Sequence, residues 1–167
     1  MPKVKWRGAE VTTTGPELKV GDKAPTDFAL TATDMSAIKG SDLAGKKRVI
    51  MTSPSIDTPV CDAEARRFNQ EATAIPGVDL VFATCDLPFA QKRWCGGAGI
   101  DKLKLASDYK DRSFGKAFGV LEPSRQLLVR AVFAIDASDT VRYVEYVSEV
   151  TTEPNYDAAL EAAKALK

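Results

Sequence analysis

The sequence predicts an α/β fold built on a mixed central sheet, and three observations carry that expectation. Two short apolar runs, RVIMTS (48 to 53) and DLVFATC (79 to 85), flank a helical pattern and define a β-α-β unit with a parallel strand pair. Two further β-rich runs, LLVRAVFAID and VRYVEYV, are joined only by the polar turn Ala137-Ser138-Asp139, a connection that calls for antiparallel pairing. The chain closes with EPNYDAALEAAKALK, where Tyr156, Ala159, Leu160, Ala163 and Leu166 recur at helical spacing.

The opening residues, 1–15, read as a hairpin. Its arms are VKW and VTTT, β-branched on both sides, joined by a turn at Arg7-Gly8-Ala9-Glu10. DFAL (27 to 30) and the segment around Ser36-Ala37-Ile38 read as a second short pair. The helix between the parallel strands is expected to start at Thr58, a good N-cap, with Pro59 at the first helical position, where its missing N–H costs nothing. PFAQKRWC forms a second helical segment, stopped by Gly96-Gly97. In the closing segment Pro154 marks the first turn of a helix that covers one sheet face. Helices on both faces of a mixed sheet make a thioredoxin-like architecture, and a flavodoxin-like strand order satisfies the same pattern. No repeat, low-complexity tract or linker divides the chain, so residues 1–167 are expected to form one domain.

Composition removes whole classes of function. With 23 Lys plus Arg against 23 Asp plus Glu, the chain has no surplus positive field to gather nucleic acid or an anionic membrane surface. The first 15 residues lack the apolar core of a signal peptide and no 18-residue apolar run occurs, so a soluble, cytoplasmic protein is expected. There is no histidine at all, which excludes Cys-His hydrolases and removes the usual zinc and haem ligand. Cys61, Cys85 and Cys95 lack the C-x-x-C spacing of a zinc site or a dithiol oxidoreductase, so neither a metal nor another cofactor is expected. Three cysteines are also too few for a secreted disulfide scaffold and suit a reducing compartment.

Cys61 falls at the third helical position after Thr58, where free backbone N–H groups and the positive end of the helix dipole favour an anion. Steps of four, seven, eleven and fourteen from it reach Ala65, Phe68, Ala72 and Ile75, an apolar stripe that turns the thiol inward. A cysteine there can be an inert core residue or an activated nucleophile. Two neighbours favour the nucleophile: the Thr58 hydroxyl three residues before the thiol, with Pro54 four further back, and Arg130, a guanidinium inside an apolar strand pattern. A buried guanidinium needs an anion, and either a thiolate or an ordinary carboxylate meets that need.

Read as P-x-x-x-T-x-x-C, the stretch PSIDTPVC resembles the peroxiredoxins, and more narrowly the bacterial thiol peroxidases with an internal two-cysteine cycle. DLPFAQKRWCGGAG, VRAVFAID and VTTEPNYDAAL also match that subfamily, so the resemblance covers nearly the whole chain. It implies that Cys61 attacks a hydroperoxide and becomes a sulfenic acid. By the same resemblance Thr58 binds peroxide and thiolate, Arg130 stabilises developing charge and Pro54 shields the sulfur. Cys95 is then the resolving thiol, forming a Cys61–Cys95 disulfide that thioredoxin reduces in a homodimeric enzyme. A permanent link would stabilise the fold by about 4 kcal/mol, so a structural disulfide is the alternative role for this pair. Cys85, ending an apolar strand, reads as a buried structural thiol. Pro59 and Glu122-Pro123-Ser124-Arg125 depart from the family's common pattern. The competing function is a thioredoxin-fold binding or redox-sensing module without peroxidase turnover.

Overall fold

The computed structural model describes residues 1–167. The chain begins with β1 (Lys3–Trp6) and β2 (Ala9–Thr12), paired antiparallel across Arg7 and Gly8. These two residues have φ of 51° and 81°, as a two-residue hairpin turn requires. The turn is shorter than the four residues expected, because Ala9 and Glu10 pair with Trp6 and Lys5.

A second antiparallel pair, β3 (Ala29–Ala32) and β4 (Ala37–Lys39), leads into the single turn α1 (Gly40–Leu43). Then β5 (Arg48–Thr52), α2 (Pro59–Glu71) and β6 (Asp79–Thr84) build the expected β-α-β unit with parallel strands. After α3 (Pro88–Ala98) comes β7 (Lys104–Ser107), parallel to β6 and absent from the expected strands. The short helix α4 (Ser113–Ala117), the strands β8 (Leu121–Glu122), β9 (Leu127–Leu128), β10 (Ala131–Ile135) and β11 (Val141–Tyr146), and helix α5 (Tyr156–Lys164) complete the chain.

Seven strands form one mixed sheet in the order β11-β10-β5-β6-β7-β3-β4. Successive residues of its central strands enter opposite cores: Ile50, Val81 and Phe133 on one side, Val49, Phe82 and Val132 on the other. Burial on both faces explains why these strands read as continuous apolar runs. The first core holds the rings of Phe28, Phe114 and Phe118, with centroids 4.6–5.5 Å apart. The second lies under α2 and α5, through Ala65, Phe68, Ala159, Leu160 and Ala163. Phe68 meets Tyr156 edge-on at 5.6 Å, and burying a side chain of that size contributes about 1.5–3 kcal/mol.

Three boundaries differ from expectation. LLVRAVFAI is not one strand: β9 pairs with β8 in a separate ladder, and β10 starts only after Arg130. The backbone at the break is committed elsewhere, Val129 donating its N–H to Val120 O at 2.8 Å and accepting from Thr52 Oγ1 at 2.7 Å. Helix α3 runs through Gly96 and Gly97 to Ala98, because the left-handed cap falls on Gly99, φ 68°, whose N–H bonds the Cys95 carbonyl. Pro154 lies outside α5, whose cap is Asn155, its side chain accepting from Ala158 N at 3.1 Å. No helix is long and apolar enough to cross a membrane.

Candidate active site

The catalytic-looking cysteine sits where the sheet hands over to α2. β5 ends at Thr52, Ser53 and Pro54 follow, and a short loop carries the chain to Thr58. Asp86, beyond the end of the neighbouring β6, pins that loop. Its carboxylate accepts from Ser55 Oγ (2.7 Å), Ile56 N (2.9 Å) and Thr84 Oγ1 (2.6 Å). Thr84 Oγ1 in turn accepts from Gln91 of α3 at 3.1 Å, so one small network fixes the starts of both helices to the sheet.

At the head of α2 the threonine side chain caps as expected, Oγ1 accepting from Cys61 N at 3.4 Å, and Pro59 takes the first helical position. The Thr58 hydroxyl also donates to Cys61 Sγ in a short contact. Arg130 reaches the same sulfur from the far side with Nη2 at 3.3 Å. Its Nε donates to Val150 O (3.0 Å) and its Nη1 to Ser53 Oγ (2.9 Å) and Glu64 Oε2. Two hydrogen-bond donors thus converge on one sulfur at the N-terminus of a helix.

The guanidinium therefore meets both of the acids it was expected to choose between, the thiol and a carboxyl group. Glu64 and Cys61 are 0 % exposed and Arg130 1 %, so this triad is fully withdrawn from water. Burial pushes the Glu64 carboxyl up to about 8 against the opposing pull of Arg130, and its Oε1 has no hydrogen-bond partner. Sequence reasoning passed over Glu64, although it stands three residues after Cys61 on the face that carries Ala65 and Phe68. An acidic residue inside an otherwise apolar stripe was the available signal.

A cavity of about 370 Å³ has Thr58 and Arg130, the two residues bonded to the sulfur, in its wall together with Pro54, while Cys61 itself stays buried behind them. Apolar groups of Trp6, Pro59, Val60, Leu127 and Val150 line most of the rest, with Arg7, Ser55 and Thr151 completing the wall. Glu122-Pro123-Ser124-Arg125, the stretch that departs from the family pattern, serves this wall. The Glu122 carboxylate accepts from Ser124 N, Ser124 Oγ and Arg125 N, and the Arg125 guanidinium lies 4.9 Å from the Trp6 ring centroid.

Cys95 lies one helix away, on α3, and is a free thiol like Cys61 and Cys85. It packs half-buried against the second core, and burial raises its ionisation above that of an ordinary cysteine. Cys85 is held up more strongly, to about 12, by burial that Arg112 only partly offsets. It packs against the first core, outside the Thr58–Cys61–Arg130 cluster.

Comparison with known proteins agrees with this geometry. The Redoxin family model matches residues 19–160, and a peroxiredoxin-like protein from Aquifex aeolicus superposes with a TM-score of 0.90 at 41% identity, covering 100% of this chain and 98% of its own. A thioredoxin-like sheet presenting one helix-capped cysteine to a threonine and an arginine is thus of the peroxiredoxin class. The thiol peroxidase of Halalkalibacterium halodurans is 52% identical over 165 residues, and that of Bacillus subtilis 49% over 166, each alignment covering 99% of both chains. The chain belongs to the thiol peroxidase family. Its activity is thiol-dependent peroxide reduction, and the alternative of a binding module without turnover draws no support from these relatives.

Proposed function

We propose that Cys61 is the peroxidatic nucleophile and Cys95 the resolving thiol of a cycle that reduces hydrogen peroxide and organic hydroperoxides at the expense of thioredoxin. The observation that carries the reading is the sulfur of Cys61, held between the Thr58 hydroxyl and Arg130 Nη2 beside the apolar cavity. In the first step the thiolate attacks the distal peroxide oxygen, the O–O bond breaks, and the alkoxide or hydroxide leaves with a proton as alcohol or water. Arg130 and the Thr58 hydroxyl stand where negative charge develops, and both are preorganised by bonds to the fold. Pro54, buried in the cavity wall, keeps water from the sulfur.

Resolution follows. The Cys95 thiol attacks the Cys61 sulfenic sulfur, the S–O bond breaks, water leaves, and the disulfide is then reduced by two electrons from thioredoxin. Bridged Cα atoms stand within about 7 Å of one another, and the first turn of α2 and the segment around Cys95 are both expected to loosen as this bond forms. Three free thiols suit a reducing cytoplasm, and a homodimer is the assembly expected of the family.

The experiment is a coupled assay of NADPH, thioredoxin reductase, thioredoxin and cumene hydroperoxide. NADPH consumption is expected in the native protein and none in Cys61→Ser. Cys95→Ser is expected to complete one turnover and then stop. Sustained turnover in Cys95→Ser would remove that residue from the cycle, and sedimentation of the reduced protein as a monomer would remove the dimer.

A further inference from the structure

The residues beside the two thiols are bonded to each other. Asp62 follows Cys61 on α2 and Trp94 precedes Cys95 on α3, and the indole Nε1–H donates to Asp62 Oδ1 at 2.9 Å. The other Asp62 oxygen accepts from Arg66 Nε at 2.8 Å. Arg66 also spans to α3, donating from Nη1 to Ala98 O at 3.2 Å with its guanidinium 5.9 Å from the Trp94 ring centroid. Two residues of α2 therefore grip the last turns of α3. Arg66 holds the Asp62 carboxyl below the usual carboxylate range with help from Trp94, so the acceptor is charged at neutral pH.

The gripped helix is weak at the same place. Gly96 and Gly97 lie inside α3 with ordinary negative φ, and a Cβ on either would meet nothing within 4 Å. Neither space nor backbone conformation calls for glycine there. Their effect is to lower helix propensity by roughly 1 kcal/mol each relative to alanine, directly after Cys95.

Resting on the reading of Cys95 as the resolving thiol, we propose that the Asp62–Trp94–Arg66 contact is a clasp that controls resolution. Closed, it keeps the first turn of α2 and the last turns of α3 folded, with Cys61 aligned for peroxide. Opened, it releases both segments so that Cys95 reaches the sulfenic acid. Asp86 anchors the loop before α2 independently, so opening is confined to the parts that have to move. The clasp thereby divides the sulfenic acid between two fates. One is the disulfide, with loss of water. The other is attack of the sulfenate on a second hydroperoxide, which breaks its O–O bond and yields sulfinic acid and alcohol or water. Asp62, Trp94 and Arg66 are positioning residues in this scheme and touch neither peroxide nor the Cys61 sulfur.

The test is Trp94→Phe, which keeps an aromatic ring and removes only the N–H, set beside Gly97→Ala, which stiffens the helix end. Each reduced protein is mixed with peroxide, quenched with acid at millisecond times and assayed by intact mass for sulfenic, disulfide and sulfinic forms. In Trp94→Phe the first step is expected at its native rate, the disulfide to form about five to ten times faster, the factor expected for losing one hydrogen bond of typical net strength, and sulfinic acid to need correspondingly more peroxide. Gly97→Ala is expected to slow the disulfide about threefold to fivefold and to overoxidise more readily, since helix propensity at that position is worth roughly 1 kcal/mol. A disulfide rate unchanged or slower in Trp94→Phe, while the native protein forms its Cys61–Cys95 bond normally, overturns the clasp alone. Absence of that disulfide in the native protein overturns the reading of Cys95, and the clasp with it.

Discussion

Arg130 touches Cys61 and Glu64 with different nitrogens, Nη2 standing 3.3 Å from the sulfur while Nη1 is bound to Glu64 Oε2. One guanidinium thus serves two buried acids at once. The Glu64 carboxyl fixes the plane of the fork, Val150 O and Ser53 Oγ fix its stem, and the nitrogen left over is aimed at the sulfur. Only a planar, multi-pronged cation can do both tasks.

Arg130→Lys accordingly keeps the charge and loses the geometry. A single ammonium cannot span Glu64 and Cys61 together. The rate constant for sulfenic acid formation is expected to fall about 100- to 1000-fold, the usual range for one removed donor at a developing charge. Stopped-flow fluorescence with cumene hydroperoxide measures it. A drop of less than tenfold would mean that Arg130 serves the fold more than the reaction.

Thr58 does two jobs that substitution separates. Thr58→Ser retains the hydroxyl for both the cap and the sulfur, whereas Thr58→Val keeps the shape and loses both. Valine is expected to cost about 1–2 kcal/mol of stability as a lost cap and, separately, about 100-fold in the peroxide step. Serine is expected within a few-fold of native in both. Guanidinium unfolding and stopped-flow kinetics read the two effects, and a valine variant with native peroxide kinetics would confine Thr58 to capping.

Much of this site was legible because its signals are local. Thr58, Pro59 and Cys61 occupy the cap, first and third positions of the helix start, and a cap followed by proline fixes where the helix begins whatever packs around it. Arg130 stood out as a charge in an apolar run, and its need for an anion was readable, while the carboxylate that shares it was not named. Glu64, Asp86 and the Asp62–Trp94 bond escaped because their meaning lies in contacts between separate elements. β7 escaped because KLAS is short and only partly apolar, its place between β6 and β3 being set by the sheet. The end of α3 was misread for a physical reason as well: glycine stops a helix at a left-handed φ, and Gly99 adopts it while Gly96 and Gly97 do not.

Asp86 supplies a prediction independent of the reacting atoms. Its carboxylate accepts three bonds from Ser55, Ile56 and Thr84, all from donors. Asp86→Asn turns one acceptor into an NH₂ group, so either Ile56 N loses its acceptor or Ser55 Oγ has to reverse its bond and accept, and the charge that strengthened all three bonds is gone. Stability is expected to fall by about 1–3 kcal/mol, and the peroxide step to slow because the Ser55–Thr58 loop loses its anchor. Denaturant midpoints and stopped-flow rates check both. Native stability in the variant would show that water replaces the carboxylate without loss.

The buried carboxyl of Glu64 predicts how stability responds to pH. Burial raises it from 4.5 in the unfolded chain to about 8 in the folded one, with Arg130 pulling the other way. Between those values the folded protein keeps a proton that the unfolded chain has released, so raising the pH favours unfolding. The stabilisation is complete below the unfolded value and is lost as pH climbs through the folded one. Asp108, raised by burial to about 6, acts with the same sign but finishes its change lower, which leaves pH 6 to 8 to Glu64 among the raised carboxyls. Unfolding free energy is expected to fall by about 2 kcal/mol across that interval in the native protein. Glu64→Gln cannot titrate, so its curve is expected to be nearly flat across that interval. Guanidinium unfolding at pH 6, 7 and 8 decides the matter, and an equal decline in the glutamine variant would assign the effect to another group.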